Sequence, residues 1–187
     1  VTLWAFSLDN FKRPATEVEG LKDLFEEKFR AIAQDPRIQE NGVRIRYLGR
    51  IGTLPERVQA AIRQAELATE QHDSLHLNVA IAYGGREEIA DAFQRYLLDR
   101  SQHGQSLHEV AQSFTASDID RYLYTQGVPD PDLIIRTSGE LRLSGFLLWQ
   151  SAYSEFYFCD TYWPAFRKID FLRALRSYDQ RQRRYGK

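Results

Sequence analysis

The sequence has no methionine and a single cysteine among its 187 residues. The lone cysteine, Cys159, excludes an internal disulfide framework, so the chain must be stabilised by a buried core. No apolar run approaches the roughly 20 residues that span a bilayer, and the first residues lack the basic flank and cleavage site of a signal peptide. These absences indicate a cytosolic protein. Because no initiator methionine is present, we also expect further residues before Val1.

The sequence also lacks an excess of either charge. Its 25 Lys and Arg residues nearly balance its 26 Asp and Glu residues and leave a net charge of −1. A protein of this charge has no global field that would draw it onto nucleic acid, so we expect no nucleic-acid partner. The four histidines have no spacing typical of zinc ligands. Any phosphate binding must therefore come from local clusters of basic residues.

Apolar residues alternate along the chain between strand-like and helix-like spacing. Strands are predicted at 1–6, 43–48, 75–83, 133–135 and 155–158. Helices are predicted at 16–35, 55–67, 89–97, 117–123 and 169–178, and the polar segment 99–105 is predicted to be an exposed loop. This order predicts an α/β fold, with one domain over residues 1–187 and a central, mostly parallel sheet flanked by helices.

Polar residues follow three of the predicted strands. In open α/β sheets ligands gather beyond the carboxyl ends of the strands, so these residues are the first candidates for a site. The groups are Ser7, Asn10, Lys12 and Arg13; Tyr83, Gly84, Gly85 and Arg86; and the segment 136–145. The last group contains the most residues that can bind an anion.

The segment 136–145 has the composition of a diphosphate site. Arg136 and Arg142 can pair phosphate oxygens bidentately, because a guanidinium presents its N–H groups as a planar fork. Ser144 and neighbouring hydroxyls can donate to the remaining oxygens, and glycines let backbone N–H groups approach an anion. A solvated turn whose arginines pair with surface carboxylates would have the same composition. The residues alone leave both interpretations open.

An apolar and aromatic block, residues 146–158, follows this segment directly. Core packing accounts for such a block, but an apolar wall beside a phosphate cluster is also what an amphiphilic diphosphate requires. Glu155 begins an otherwise apolar strand, where an unpaired carboxylate would be costly to bury. Either an arginine or Mg²⁺, which takes carboxylate and phosphate oxygens together, can compensate this charge.

These residues resemble the signature of the cis-prenyltransferase family, the family of undecaprenyl diphosphate synthase. The resemblance is carried by 131–140, Arg142, Ser144, 146–150, 154–158 and Trp163-Pro164. Earlier segments are similar to further motifs of the family, namely Ala5–Ser7 with Asn10, Arg13 and Pro14, and Tyr83–Arg86. There are departures: Phe11 stands where many members have tryptophan, and Ala82 and Gly145 stand where many have asparagine.

The resemblance implies an enzyme that condenses isopentenyl diphosphate with an allylic diphosphate, such as farnesyl or geranyl diphosphate, to give a Z-polyprenyl diphosphate. It implies a hydrophobic tunnel between sheet and helices, Mg²⁺ as cofactor, a homodimer, and peripheral membrane contact for product release. The alternative is a non-catalytic partner subunit of a heteromeric cis-prenyltransferase. The retained arginines and Glu155 favour the enzyme.

The resemblance also assigns roles to residues. Ser7, Asn10 and Arg13 would be the catalytic residues that assist condensation, with Phe11 packing on the allylic substrate. Arg136, Arg142 and Ser144 would bind the diphosphate of isopentenyl diphosphate, and Glu155 would help to hold Mg²⁺.

The two ends of the chain carry further expectations from the resemblance. Arg184 and Gly186 match the family's Arg-x-Gly tail, which reaches a partner subunit's site in dimers. The family's Asp-Gly-Asn-x-Arg segment, with its metal-binding aspartate, precedes the strand on which this chain begins. We therefore expect that segment, and with it a complete active site, to be missing from residues 1–187.

Overall fold

A computed structural model of the protein describes residues 1–181 and groups the chain into two compact units, Val1–Gln126 and a second that begins at Gly127. The strands of the first unit are β1 (Thr2–Ser7), β2 (Val43–Leu48) and β3 (Leu75–Tyr83). Its helices are α1 (Ala15–Gln34), α2 (Pro36–Glu40), α3 (Glu56–Thr69), α4 (Gly85–Gln102), α5 (Leu107–Ser113) and α6 (Ala116–Asp120). Single 3₁₀ turns cover Leu8–Lys12 and Ile51–Thr53.

The strands of the first unit form one parallel sheet in the order β1-β3-β2. Strand β1 pairs with β3 from Thr2 opposite Asn78 to Ser7 opposite Tyr83, with register shifts on both sides of Phe6. Ser7 and Tyr83 therefore end their strands side by side. This carboxyl edge of the sheet is where the sequence predicts ligands to gather.

The core of the first unit lies between the sheet and helices α1 and α3. Residues of β2 alternate, so that Ile45 and Tyr47 are buried in this core while Arg46 between them is half-buried. From α1, the rings of Phe25 and Phe29 stack with centroids 5.7 Å apart, and Phe29 meets Tyr47 edge-on at 4.6 Å. Amphipathic spacing in the sequence predicted this burial.

The second unit contains the parallel pair β4 (Leu133–Arg136) and β5 (Glu155–Phe158), a 3₁₀ turn at Trp163–Ala165 and helix α7 (Lys168–Asp179). The connection between β4 and β5 consists of turns and irregular structure. The segment with the predicted phosphate ligands is therefore a long loop anchored by a strand at each end.

The predicted α/β fold class is confirmed, since all paired strands among the described residues are parallel and β1, β2 and β3 alternate with helices; β2 and β3 also have the predicted bounds. Several local predictions were wrong: the short helix α2 was not predicted, and the helix predicted over 117–123 ends at Asp120. Of the predicted loop 99–105, residues 99–102 are helical, because α4 continues to Gln102, and only 103–105 form the loop, where Gly104 adopts a φ of 75°. Helix α5 was missed, although Ser106 and Glu109 form a capping box in which the Ser106 N–H donates to Glu109 Oε2 at 2.7 Å. Among residues 1–181, no helix is long and apolar enough to cross a membrane.

Candidate active site

The turn after β1 brings Ser7 and Asn10 together. The Ser7 hydroxyl accepts a hydrogen bond from the Asp9 N–H at 3.0 Å, and Asn10 Oδ1 accepts one from the Ser7 N–H at 2.8 Å. This reciprocal cap fixes both side chains on the 3₁₀ turn. The cap uses only acceptor atoms, so the Ser7 hydroxyl and the Asn10 amide keep their protons for another acceptor.

Phe11 and Arg13 lie on the same turn in different surroundings. Phe11 packs edge-on against Phe6, with ring centroids 5.0 Å apart and planes at 89°, so the ring already contacts the core. Arg13 Nη1 forms an ion pair with Glu17 Oε1 at 2.7 Å, and both side chains are about half exposed. An exposed ion pair of this kind contributes about 1 kcal/mol or less. An anionic substrate can therefore replace Glu17 as the partner of Arg13 with little loss of free energy.

The end of β3 lies against this turn. Gly84 precedes α4 as its N-cap, and a Cβ atom at this position would lie 3.5 Å from Leu8 Cδ1 and 2.2 Å from Glu87 Oε2. Ala82 has a φ of 46°, a left-handed conformation that residues with a side chain rarely adopt. The carboxyl edge of the sheet therefore contains both a close contact, at Gly84, and a strained backbone, at Ala82. Backbone strain of this kind is often found at functional sites.

In the second unit, Arg136 organises the loop that follows β4. Its Nη1 donates to the Ser144 hydroxyl at 2.9 Å and also to the carbonyl oxygen of Arg142. The guanidinium of Arg142 forms an ion pair with Glu140. The structure therefore brings Arg136, Arg142 and Ser144 together, although the two guanidiniums have different partners.

The same loop has a strained backbone. Ser138, Ser144 and Leu147 have φ values of 76°, 51° and 46°. Each such conformation costs about 1–3 kcal/mol and persists only where surrounding contacts hold it. Two of these contacts are hydrogen bonds of 2.9 Å to the chain after β5, from the Ser138 N–H to the Thr161 carbonyl and from the Gly139 N–H to that of Cys159. Backbone of mixed handedness is typical of concave anion sites.

Glu155 is compensated by an arginine. Its Oε2 lies 2.5 Å from Nη1 of Arg181, so the described contact is the ion pair that the sequence left open beside Mg²⁺. Across residues 1–181, no three His, Cys, Asp or Glu side chains converge as a metal site. Glu155 is the right kind of ligand for Mg²⁺, but the described residues alone do not fit a complete magnesium centre. Arg184 and Gly186 lie outside the described residues.

Sequence analysis missed a second polar cluster in the first unit. The Asp91 carboxylate accepts hydrogen bonds from Arg50 and Tyr124, and the buried Glu88 carboxylate accepts from Tyr83 and Tyr124. These partners are up to 41 residues apart, so no local motif contains them. The only sequence signal is the spacing of Glu88 and Asp91, which places both carboxylates on one face of α4.

A hollow of about 430 Å³ lies between β2 and α3. Arginine and glutamate side chains form most of its lining, which comprises Arg44, Ile45, Arg46, Arg63, Glu66, Leu67 and Glu70. The hollow contains none of the predicted site residues. The hydrophobic tunnel stays a prediction.

Known proteins are similar to this chain over its whole length. The prenyltransferase family model described as undecaprenyl diphosphate synthase matches residues 1–186. An isoprenyl transferase of Thermus thermophilus is 59% identical over 187 residues, which are 100% of this chain and 71% of that protein. A (2Z,6E)-farnesyl diphosphate synthase of Thermobifida fusca is 52% identical over 186 residues, 100% of this chain and 71% of that protein. The crystal structure of lavandulyl diphosphate synthase from Lavandula x intermedia, in complex with dimethylallyl diphosphate, matches with a TM-score of 0.90 at 34% identity and covers 100% of this chain and 78% of that one.

Proposed function

The chain belongs to the undecaprenyl diphosphate synthase family of prenyltransferases, and from that premise we propose that it condenses isopentenyl diphosphate with an allylic diphosphate to give a Z-polyprenyl diphosphate. Transfer of prenyl groups is the activity that its relatives' names share. The observation within the molecule that supports the proposal most is the loop after β4. There a guanidinium, a hydroxyl and left-handed backbone follow a parallel strand. Groups of these kinds bind the oxygens of a diphosphate.

We propose that Arg136, Arg142 and Ser144 bind the diphosphate of isopentenyl diphosphate. Arg136 uses Nη1 to hold the loop, which leaves its other N–H groups for phosphate oxygens. The Arg142 side chain is 63% exposed in its pair with Glu140, and an exposed ion pair is worth about 1 kcal/mol or less. A substrate phosphate can therefore replace Glu140 as the partner of Arg142.

We propose that Ser7, Asn10 and Arg13 assist the condensation, with Phe11 packing on the allylic chain. The allylic diphosphate departs with the electrons of its C–O bond, the double bond of isopentenyl diphosphate attacks the allylic carbon, and loss of a proton leaves a cis double bond. A guanidinium such as that of Arg13 stabilises the negative charge that develops on the leaving group. Ser7 and Asn10 are held by their reciprocal cap, which uses their side-chain oxygens as acceptors and leaves the hydroxyl and amide protons for a substrate.

We propose Mg²⁺ as the cofactor, with Glu155 as one of its ligands. Mg²⁺ binds carboxylate and phosphate oxygens together and neutralises charge on a diphosphate. Arg181 now holds the Glu155 carboxylate, and it must give way for a cation to bind there. Because the described residues offer no complete site, further ligands have to come from elsewhere, the substrate phosphates included.

The proposal is tested by an elongation assay on the full-length protein. With Mg²⁺, farnesyl or geranyl diphosphate and labelled isopentenyl diphosphate, we expect labelled polyprenyl diphosphates, whose length is read by chromatography. Chelation of Mg²⁺ by EDTA is expected to stop elongation, and added Mg²⁺ to restore it. No elongation, together with tight binding to an active homologue, would instead favour a non-catalytic partner subunit.

We propose that the protein is a homodimer in which a second copy covers an apolar surface of the second unit. Tyr162 and Trp163 are 70% and 60% exposed, and Phe171 and Leu172 of α7 are 43% and 45% exposed. Apolar surface of this kind, rich in aromatic rings, marks protein interfaces.

Leu172→Arg is expected to convert the dimer to a monomer, because it would bury an unpaired charge in the contact. Sedimentation velocity measures the change. Leu67→Arg is the matched control, since Leu67 is a leucine of α3 in the first unit that is 66% exposed, and it should leave the dimer intact. A wild-type protein that sediments as a monomer contradicts the proposal.

We also propose a cytosolic location with peripheral membrane contact during product release. Each added five-carbon unit makes the transfer of the product from water into an apolar environment more favourable by up to roughly 4 kcal/mol, at about 0.8 kcal/mol per methylene. A lengthening product is therefore increasingly favoured to leave the protein for a membrane rather than for water.

A further inference from the structure

A hydrogen-bonded network lies at the carboxyl edge of the sheet in the first unit. Asp91 of α4 accepts from Nε and Nη2 of Arg50 at 2.9 and 2.8 Å and from the hydroxyl of Tyr124. The Tyr124 N–H donates to Glu88 at 2.9 Å, and the guanidinium of Arg95 lies over the Tyr124 ring, 5.1 Å from its centroid. The hydroxyl, backbone and ring of Tyr124 therefore all have partners.

The network reaches the candidate site through Tyr83. This tyrosine is the last residue of β3, is fully buried and donates its hydroxyl to the second carboxylate oxygen of Glu88. Tyr83 pairs with Ser7 in the sheet, and the next residue, Gly84, lies against Leu8 of the following turn. The turn that carries Ser7 and Asn10 therefore rests on the end of β3 that the network holds.

Arg50 is part of the network because the chain directly after β2 passes close to the backbone of β3. A Cβ atom at Gly49 would lie only 2.0 Å from the carbonyl oxygen of Ile81, and the Arg50 N–H donates to the carbonyl oxygen of Ala82 at 3.1 Å. The backbone after β2 is thus fixed against β3. From this position the Arg50 side chain spans to α4.

Electrostatics keep Asp91 and Tyr124 in one protonation state each near neutral pH. The hydrogen bonds from Arg50 hold the pKa of Asp91 below its usual value, so the carboxylate remains an acceptor. Burial, followed by the hydrogen bond to Asp91, raises the pKa of Tyr124, so its hydroxyl remains a donor. The bond between Tyr124 and Asp91 is therefore kept throughout the pH range of an ordinary assay.

We propose that Asp91 and Tyr124 are positioning residues for the condensation. They hold the end of β3 and, through it, the turn with Ser7 and Asn10, to which the proposed function assigns a role in the reaction. Small displacements of groups that act on reacting atoms lower the rate strongly. The diphosphate of isopentenyl diphosphate is assigned to the Arg136 loop in the other unit, so loosening this network acts on kcat and not on KM.

Tyr124→Phe tests the proposal with the loss of one hydroxyl, since the variant keeps the ring for Arg95 and the backbone N–H for Glu88. We expect kcat to fall about tenfold, with KM for isopentenyl diphosphate within about twofold of the wild-type value. Asp91→Asn should lower kcat in the same way. Adding Tyr124→Phe to Asp91→Asn should lower kcat much less than it does alone, because both substitutions weaken one bond.

Tyr122→Phe is the matched control. The Tyr122 hydroxyl donates to the Asp99 carboxylate at 2.7 Å, the same kind of bond to the same helix, about two turns further from the sheet edge. We expect a loss of Tm similar to that of Tyr124→Phe and an unchanged kcat. Equal kcat in wild type and Tyr124→Phe, or equal losses of kcat in both variants, would overturn the inference while leaving the proposed function intact. A wild-type protein that fails to elongate would refute the proposed function, and the inference with it.

Discussion

Arg136→Ala is expected to raise KM for isopentenyl diphosphate by a factor of roughly 10 to 100, because one charge-assisted hydrogen bond contributes about 1.5–3 kcal/mol. The substitution removes the fork that would pair phosphate oxygens. It also removes the contacts of Nη1 with the Ser144 hydroxyl and the Arg142 carbonyl, which hold the loop in its strained form. Steady-state kinetics at saturating allylic substrate measure the change.

Control variants separate the contribution of the phosphate contact from that of loop geometry. Arg136→Lys keeps the charge but not the planar fork, so its KM should lie between those of wild type and Arg136→Ala. Arg176→Ala removes an exposed arginine of α7 that has no proposed role, and its KM should equal the wild-type value. An unchanged KM in Arg136→Ala would remove Arg136 from the site.

The sequence predicts those parts of the fold whose signal is local. Strands β2 and β3 have their predicted bounds because each is a run of apolar or alternating residues closed by turn residues. The end of α4 was placed too early, since polarity from Asp99 onward was interpreted as a loop, whereas polar residues also form the exposed face of a helix. Helix α5 was available from the Ser106–Glu109 capping spacing, which a search for apolar periodicity alone does not detect.

The sequence predicts the residue types of the candidate site better than their partners. Arginines and hydroxyls in the loop after β4 follow from composition, but Glu155 pairs with Arg181, 26 residues away, and Asp91 pairs with Arg50, 41 residues away. Such pairs are set by tertiary packing, which local spacing does not encode. The left-handed backbone at Ser138 and Ser144 has no sequence signal either, since positive φ ordinarily selects glycine.

Gly49→Ala is expected to destabilise the protein by at least about 3 kcal/mol, a large part of the stability of an ordinary domain. The new Cβ would lie 2.0 Å from the carbonyl oxygen of Ile81 and 3.1 Å from that of Ala82. Both oxygens belong to the backbone of β3, the central strand of the sheet, so they cannot swing aside as a flexible side chain would. The φ of 133° at Gly49 is also one that alanine rarely adopts. Urea unfolding measures the loss.

Gly52→Ala is the control that isolates the close approach as the cause. Gly52 lies only a few residues further on, and a Cβ there would meet no atom within 4 Å, so its substitution should change the free energy of unfolding by no more than about 1 kcal/mol. Equal stability of the two variants would contradict the packing of the chain against β3. Because the same crossing places Arg50 beside Asp91, any Gly49→Ala protein that folds should also show the lowered kcat expected of Tyr124→Phe. Of the two glycine variants, only Gly49→Ala would then lower stability and rate together.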